Sequence, residues 1–304
     1  MSLPVEVMAG AVIGGTSILY AAVGESFSES AGVVNLGIEG SMLAGALTGY
    51  AVAAESGNPW VGVGAAAVTG GALALVHAYM SLSRKANQLA NGLVVLFLGL
   101  GLTSLFGATY VSKESPPLKP INIPLLKSIP VVGEVLFQHD ALTYASFALV
   151  PAAWWILYRS RWGLLIRGVG ERSEVLATYG HSTSRVQYLS VTFGGVLAGI
   201  GGAQLATAYT HAWFENMTQG RGFVACAVVI FAARHPVKAA AGSYLFGAAL
   251  ALSPALQARG YSINQFALNA IPYVLIIVVL VALGRARAAE QPEGLQKVFE
   301  MTPA

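Results

Sequence analysis

The chain has 304 residues, of which 55% are hydrophobic and only 10% charged, where soluble domains carry about 25% charge; the mean hydropathy is +0.64, which excludes an ordinary water-soluble domain. Its 35 glycines, 13 prolines and single cysteine exclude collagen, a low-complexity linker, a disulfide scaffold and a Cys-cluster metal site. The net charge of +3 is set by bases that mark membrane topology, so nucleic acid is not an expected partner and the lipid bilayer is.

A hydrocarbon core of about 30 Å needs about 20 apolar residues per helix. Runs approaching that length cover about 5–23, 33–54, 60–80, 92–110, 141–158, 188–210, 222–233, 239–258 and 267–283. The first lacks the basic flank of a signal peptide and is read as a helix. The seventh is too short to cross alone. Together they fill more than half of the chain and leave no block for a soluble domain. The expected fold class is therefore all-α: a polytopic membrane protein with about 8–10 transmembrane helices, residues 1–304 forming one membrane domain.

Bases are retained on the cytoplasmic side of short loops. A cytoplasmic C-terminus places Arg84, Lys85, Arg159, Arg161, Arg167, Arg172, Arg185, Arg234, Lys238, Arg285, Arg287 and Lys297 inside. Lys113, Lys119, Lys127, Arg221 and Arg259 then lie outside. The balance supports nine crossings with the N-terminus out, unless the seventh segment is re-entrant. Residues 111–140, with Pro116, Pro117, Pro120, Pro124 and Pro130, read as a rigid extracytoplasmic loop. Residues 159–187, with five arginines and two glutamates, read as a cytoplasmic docking loop, and 284–304 as a cytoplasmic tail.

Within the spans, the Gly- and Ala-rich stretches 62–71, 99–107 and 194–202 permit close helix contact, either static or sliding. The polar run from Gly24 to Ser30 leads into Asn35, Gly37, Glu39 and Gly40. Glycines beside Asn35 and Glu39 point to a broken helix whose freed backbone lines an aqueous path. Glu25 and Glu29 are instead read as caps of a helix N-terminus at the interface. Asn91, Gln204 and Asn216 suit either solute contact or hydrogen bonding between helices. His77 and His211 fall near the ends of predicted spans without any metal-ligand spacing, so no metal is expected.

The sequence has no phosphate-cradling G-x-x-x-x-G-K-[ST] loop, and Asp140 is its only aspartate. No catalytic residue is assigned, and the chain is not read as an enzyme. A channel, an ion-coupled carrier and a subunit driven by a separate ATPase remain. The third to sixth spans lack charged residues in their cores, which weighs against an ion relay. Residues 170–180 read as a short amphipathic helix: Ser173 as N-cap, Glu174 in the first turn, Gly180 as a left-handed stop, and Val175, Leu176 and Tyr179 on one side. Such a short helix needs support, from a partner's groove or from the lipid surface.

The stretches Arg159-Ser160-Arg161-Trp162-Gly163 and Arg167-Gly168-Val169-Gly170-Glu171, with Ala177 and Gly180, and Leu197-Ala198-Gly199-Ile200-Gly201-Gly202-Ala203 downstream, resemble the coupling loop of ABC importer permeases for branched-chain amino acids, simple sugars and nucleosides. Ala31-Gly32-Val33-Val34-Asn35-Leu36-Gly37-Ile38-Glu39-Gly40, Ile129-Pro130-Val131-Val132-Gly133, Gly220-Arg221-Gly222-Phe223 and Arg234-His235-Pro236 resemble the nucleoside and simple-sugar branch. The resemblance implies a bacterial inner-membrane subunit with a second, homologous or identical permease chain, ATP-binding cassette subunits and an extracytoplasmic substrate-binding protein. ATP and Mg would be held by the ATPase, with no cofactor on this chain. It also implies coupling through Arg167, Gly170, Glu171, Glu174, Ala177 and Gly180. A nucleoside is the expected solute, with a ribose- or galactose-type sugar as the alternative and an autonomous channel or ion-driven carrier as the rival from another class. Ser30 departs from the arginine often found there, and His181 from an apolar residue. Segments beginning near Asn35 and Asn216 have opposite expected orientations, as halves of an inverted repeat would.

Overall fold

The computed structural model describes residues 2–122, 129–261, 264–287 and 292–295. Each of the nine apolar runs becomes a helix: α1 (Leu3–Ser30), α2 (Ile38–Ser56), α3 (Pro59–Ala78), α4 (Gln88–Gly107), α6 (Ala141–Arg159), α8 (Thr183–Gln204), α9 (Arg221–Ala232), α10 (Pro236–Gln257) and α11 (Gln265–Arg287). Two helices lie between these runs, α5 (Val132–Leu136) and α7 (Arg161–Thr178). Among the described residues six helices are long and apolar enough to cross a membrane, whereas α9 has only 12 residues. The proline-rich loop folds into α5 and a two-residue antiparallel pairing of Ile121–Asn122 with Gln138–His139. Lys127 and Pro124, and most of the tail 284–304, lie outside the described residues.

Glycine lets the helix axes approach until backbone meets backbone. A Cβ at Gly24 would lie 2.6 Å from the Gly194 carbonyl oxygen, and one at Gly199 would lie 2.1 Å from that of Ala66. One at Gly202 would meet the Met42 oxygen at 2.0 Å. The small-residue face of α8 is thus clasped by α1, α2 and α3 at once, which makes it a packing surface in this conformation. α10 completes the centre: a Cβ at Gly247 would meet the Ala11 oxygen at 2.3 Å.

The polar run 24–30 is not an interfacial cap. It is the last two turns of α1, because Gly24 seats against Gly194 and draws the turns that follow into the bundle. Ser26 satisfies its hydroxyl by donating to the Ala22 carbonyl at 2.8 Å. Glu25 and Glu29 are both buried, which corrects their reading as surface caps. His77 is likewise fully buried rather than interfacial. Its Nε2 lies 3.0 Å from the Val34 oxygen, and the Asn91 amide lies 3.1 Å from Nδ1. Arg221, counted among the outer bases, is also buried, against α1.

Candidate functional site: two broken helices and a coupling elbow

Residues 31–37 separate α1 from α2 without helical structure, and residues 210–220 do the same between the π-helical end of α8 (Leu205–Tyr209) and α9. Gly40 packs on Val95 and Leu96, well inside α4, so α2 starts within the bundle. A Cβ on Gly222 would lie 2.6 Å from the Glu39 Cα, so α9 starts at the same place. The starts of α2 and α9 therefore converge.

Glu39 joins them. One carboxylate oxygen accepts the Thr218 hydroxyl at 2.6 Å and the Gly220 N–H at 2.8 Å, and the other accepts the Gly222 N–H. Glu39 lies in the first turn of α2 and caps α9, so one negative charge faces the positive ends of two helix dipoles. Beside it, the Arg221 guanidinium donates to the Gly14 carbonyl at 2.8 Å and to Ser17 at 3.2 Å, and stacks 5.3 Å from the Tyr209 ring centre.

Asn35 belongs to the first break. Its N–H donates to Glu25 at 2.8 Å and its side-chain oxygen accepts the Gly37 N–H at 3.0 Å. Asn35 Nδ2, Glu25 Oε2 and Ser28 Oγ are buried without a hydrogen-bond partner among the described residues. Asn91 ties α3 to α4, donating to the His77 carbonyl at 2.9 Å and to Ser81 at 2.8 Å. Gln204 ties α8 to α1 through the Ile13 carbonyl at 3.1 Å. Asn216 alone of the five pathway candidates is exposed. It sits at φ 55° in the second break and lines a cavity of about 400 Å³ with Gln219, Arg221, Ser253 and Tyr273.

The coupling candidates lie on one segment. Helical hydrogen bonding runs the length of α7, but the backbone of Arg172 (φ −144°, ψ 83°) kinks it into two pieces. Gly180, at φ +79°, ends the second piece, with the His181 N–H bonded to the Leu176 carbonyl at 3.2 Å, as a glycine stop requires. Leu176 turns inward onto Gly168, whereas Val175 and Tyr179 are exposed. Glu171, Glu174, Ala177 and Gly180 are exposed as well. Arg167 is not: its guanidinium stacks 5.1 Å from the Tyr158 ring centre, and that ring lies 5.1 Å from His235, in the turn joining α9 to α10. Burial and the nearby Lys238 hold the His235 imidazole below its ordinary value.

Gly170 links this segment to the first break. A Cβ there would lie 2.2 Å from the Ser30 carbonyl oxygen and 3.1 Å from the Gly32 nitrogen. The elbow thus touches the first break directly. A cleft of about 420 Å³ opens between Gly32, Gln88, Gln187 and residues 169–175, and Glu293 and Gly294 line its wall. Arg172 Nε donates to Glu293 at 3.1 Å, at the residue where α7 breaks.

Sequence reasoning placed Asn35 and Glu39 at the break from their glycine neighbours. It missed Arg221 as a buried group and Glu39 as the cap of α9, since the residues that Glu39 binds lie about 180 positions downstream. It also missed the Arg167–Tyr158–His235 stack, whose members belong to three separate elements.

Residues 7–283 match the family described as branched-chain amino acid transport system / permease component. The chain is 41% identical over 268 residues, 87% of its length and 80% of the relative's, to TsgC13 of Haloferax volcanii, which is named provisionally as a glucose ABC transporter permease. It is 32% identical over 286 residues, covering 89% and 90% of the two chains, to the guanosine ABC transporter permease NupQ of Bacillus subtilis. It is 30% identical over 300 residues, covering 93% of each, to the nucleoside ABC transporter permease NupC of Lactococcus lactis subsp. cremoris. With a multi-pass helical bundle, two interrupted helices and a family match running almost end to end, the chain belongs to the branched-chain amino acid transport system permease family.

Proposed function

We propose that this chain is the membrane-spanning subunit of an ATP-driven importer in the cytoplasmic membrane and passes a nucleoside by alternating access. The observation that carries the reading is the contact of Gly170 with Ser30 and Gly32. It sets an exposed amphipathic elbow directly against a helix break that holds unpaired polar groups. A push on the exposed Glu171, Glu174, Ala177 and Gly180 reaches residues 31–37 through that backbone contact. Arg167, through Tyr158 and His235, carries the same push to the far end of α9. Both broken helices are then moved from one side, and Glu39 is the joint between them.

In this reading the ATP-binding cassette partner holds ATP and Mg, this chain contributes no cofactor, and an extracytoplasmic binding protein delivers the solute. A second permease chain completes the passage. The two broken units, α1 with α2 and α8 with α9, act as the halves of an inverted repeat. Asn216 receives solute in the open cavity beside Arg221, while Asn35 and Glu39 line its continuation. Asn91 and Gln204 hold the surrounding helices through their amides. An unpaired buried polar group costs about 1–3 kcal/mol, so the free atoms of Asn35, Glu25 and Ser28 are the places where water or a solute group is accommodated.

NupQ and NupC, matched along about nine-tenths of each chain, support the nucleoside. A simple sugar is the second reading, favoured by the higher identity to TsgC13. The test is uptake into proteoliposomes containing this chain, its partner permease and ATPase, and the cognate binding protein, supplied with labelled guanosine or glucose. ATP-dependent guanosine uptake supports the main reading and glucose uptake the second. Solute flux through the chain alone, without an ATPase, overturns both.

A further inference from the structure

The corner between α6 and α7 forms, with α8, a slot of about 390 Å³. Trp155, Trp162, Ile166, Val186, Leu189 and Phe193 line it, and its only polar lining residues are Ser160 and Ser190. Ser160 is already used: its hydroxyl donates to the Ile156 carbonyl at 2.6 Å and accepts the Gly163 N–H at 3.1 Å. The slot therefore offers apolar surface almost exclusively. Trp155 and Trp162 stand 58% and 62% exposed at its edge, as rings do at the boundary between acyl chains and headgroups.

Its mouth is basic. Residues four apart on a helix share a face, so Arg159 prolongs the stripe of Trp155 towards the end of α6. Arg185 prolongs the stripe of Leu189 and Phe193 towards the start of α8. Arg161 follows the corner residue Ser160. All three arginines are exposed, and none has a carboxylate within ion-pair distance among the described residues. The Arg159 guanidinium lies 5.7 Å from the ring centre of Trp154, the chain neighbour of Trp155.

We propose that this slot binds an anionic phospholipid, one acyl chain lying against Trp155, Ile166 and Leu189 and the phosphate meeting Arg159, Arg161 and Arg185. Charge complementarity selects the occupant: a zwitterionic lipid would fill the slot equally well but would gain less from three unpaired guanidinium groups. The proposal rests on the functional reading above only in assigning the site to the cytoplasmic leaflet, since lipid selection needs no ATPase.

The test uses the full chain purified in detergent and titrated with phosphatidylglycerol or phosphatidylcholine carrying the same brominated acyl chains, read as quenching of tryptophan fluorescence. Phosphatidylglycerol is expected to quench at the lower lipid fraction. In R159Q/R185Q that preference should fall about fivefold for each arginine removed, while quenching by phosphatidylcholine stays the same and R159K/R185K retains the preference. If the glutamine variant does not fold, raising salt from about 0.05 to about 0.5 M on the unaltered chain serves instead, and should erase most of the difference. Equal quenching by both lipids, a preference intact in R159Q/R185Q, or one indifferent to salt would overturn the site. ATP-driven uptake persisting in a chain without lipid preference sinks this proposal alone; a lipid preference in a chain that couples to no ATPase sinks only the functional reading.

Discussion

The two breaks differ in how they are held. The first, residues 31–37, is short and almost wholly buried; Glu25, Gln88 and His77 bond its backbone, and Gly170 presses on it. The second, residues 210–220, is longer and only partly buried, holds His211, Asn216, Gln219 and Gly220 at positive φ, and opens onto the 400 Å³ cavity. The first break is therefore closed beside the elbow, and the second opens onto a cavity. The first break is held by side chains and by the Gly170 contact, the second by its positive-φ turns together with the Glu39 bonds to Thr218 and Gly220 and the Tyr273 bond to the Gln219 carbonyl.

The comparison breaks most completely if the elbow is removed. Deleting residues 173–179, or replacing Glu174 with Arg, is expected to reduce uptake and transport-coupled ATP hydrolysis to background while membrane insertion, read by protease protection, stays intact. Unimpaired uptake would detach the closed break from any motor. Next is Gly170→Ala, whose added methyl must displace the Ser30 carbonyl; overpacking costs about 1–3 kcal/mol, and coupled hydrolysis should fall about tenfold. Gly64→Ala is the control, because a Cβ there meets nothing within 4 Å.

Glu39→Leu leaves the Thr218 hydroxyl and two N–H groups without their acceptor, a loss of about 3 kcal/mol. It should lower the melting temperature in detergent and lower uptake further than it lowers assembly with the ATPase. Equal losses would make Glu39 a structural cap only. Asn216→Ala, in the second break, should lower the melting temperature only slightly, alanine being less suited than asparagine to φ 55°, while raising the solute concentration for half-maximal uptake about fivefold, one lost hydrogen bond being worth about 1 kcal/mol. Asn35→Leu should do the reverse, with the stability change the larger.

The smallest effect concerns His235. Its folded-state value is held below the ordinary one, chiefly by burial, so the unfolded chain takes up its proton first. The stability it contributes is present above about pH 6.5 and is lost as the pH falls below that value. His235→Gln should flatten the decline in melting temperature between about pH 7 and pH 5; an unchanged profile would remove His235 from the α6–α7–α9 linkage.

Much of this was legible beforehand, for identifiable reasons. The bilayer imposes a minimum apolar length on each span, so the nine apolar runs became nine helices, with the short 222–233 run giving the short α9, but among the described residues six helices, not the nine crossings expected, are long and apolar enough to cross. Gly37 and Gly40 beside Asn35 and Glu39 marked the first break because α4 leaves no room there for a Cβ, and Gly180, at φ +79°, marked the end of the elbow because few other residues suit that backbone. Arg172 as the break in α7 had no such marker, since its neighbours in the chain do not distinguish it and Glu293, the carboxylate it meets, lies 121 positions away.

Local chemistry therefore determined the number of helices, the place of the first break and the stop of the elbow, each depending on residues adjacent in the chain. Tertiary packing alone decided that Glu25 and Glu29 are interior, that Arg221 lies against α1, and that the Glu39 carboxylate closes on the start of α9. A charge acquires its surroundings from whatever the fold brings within hydrogen-bond reach, and for Glu39 and Arg221 that neighbour lies across the bundle.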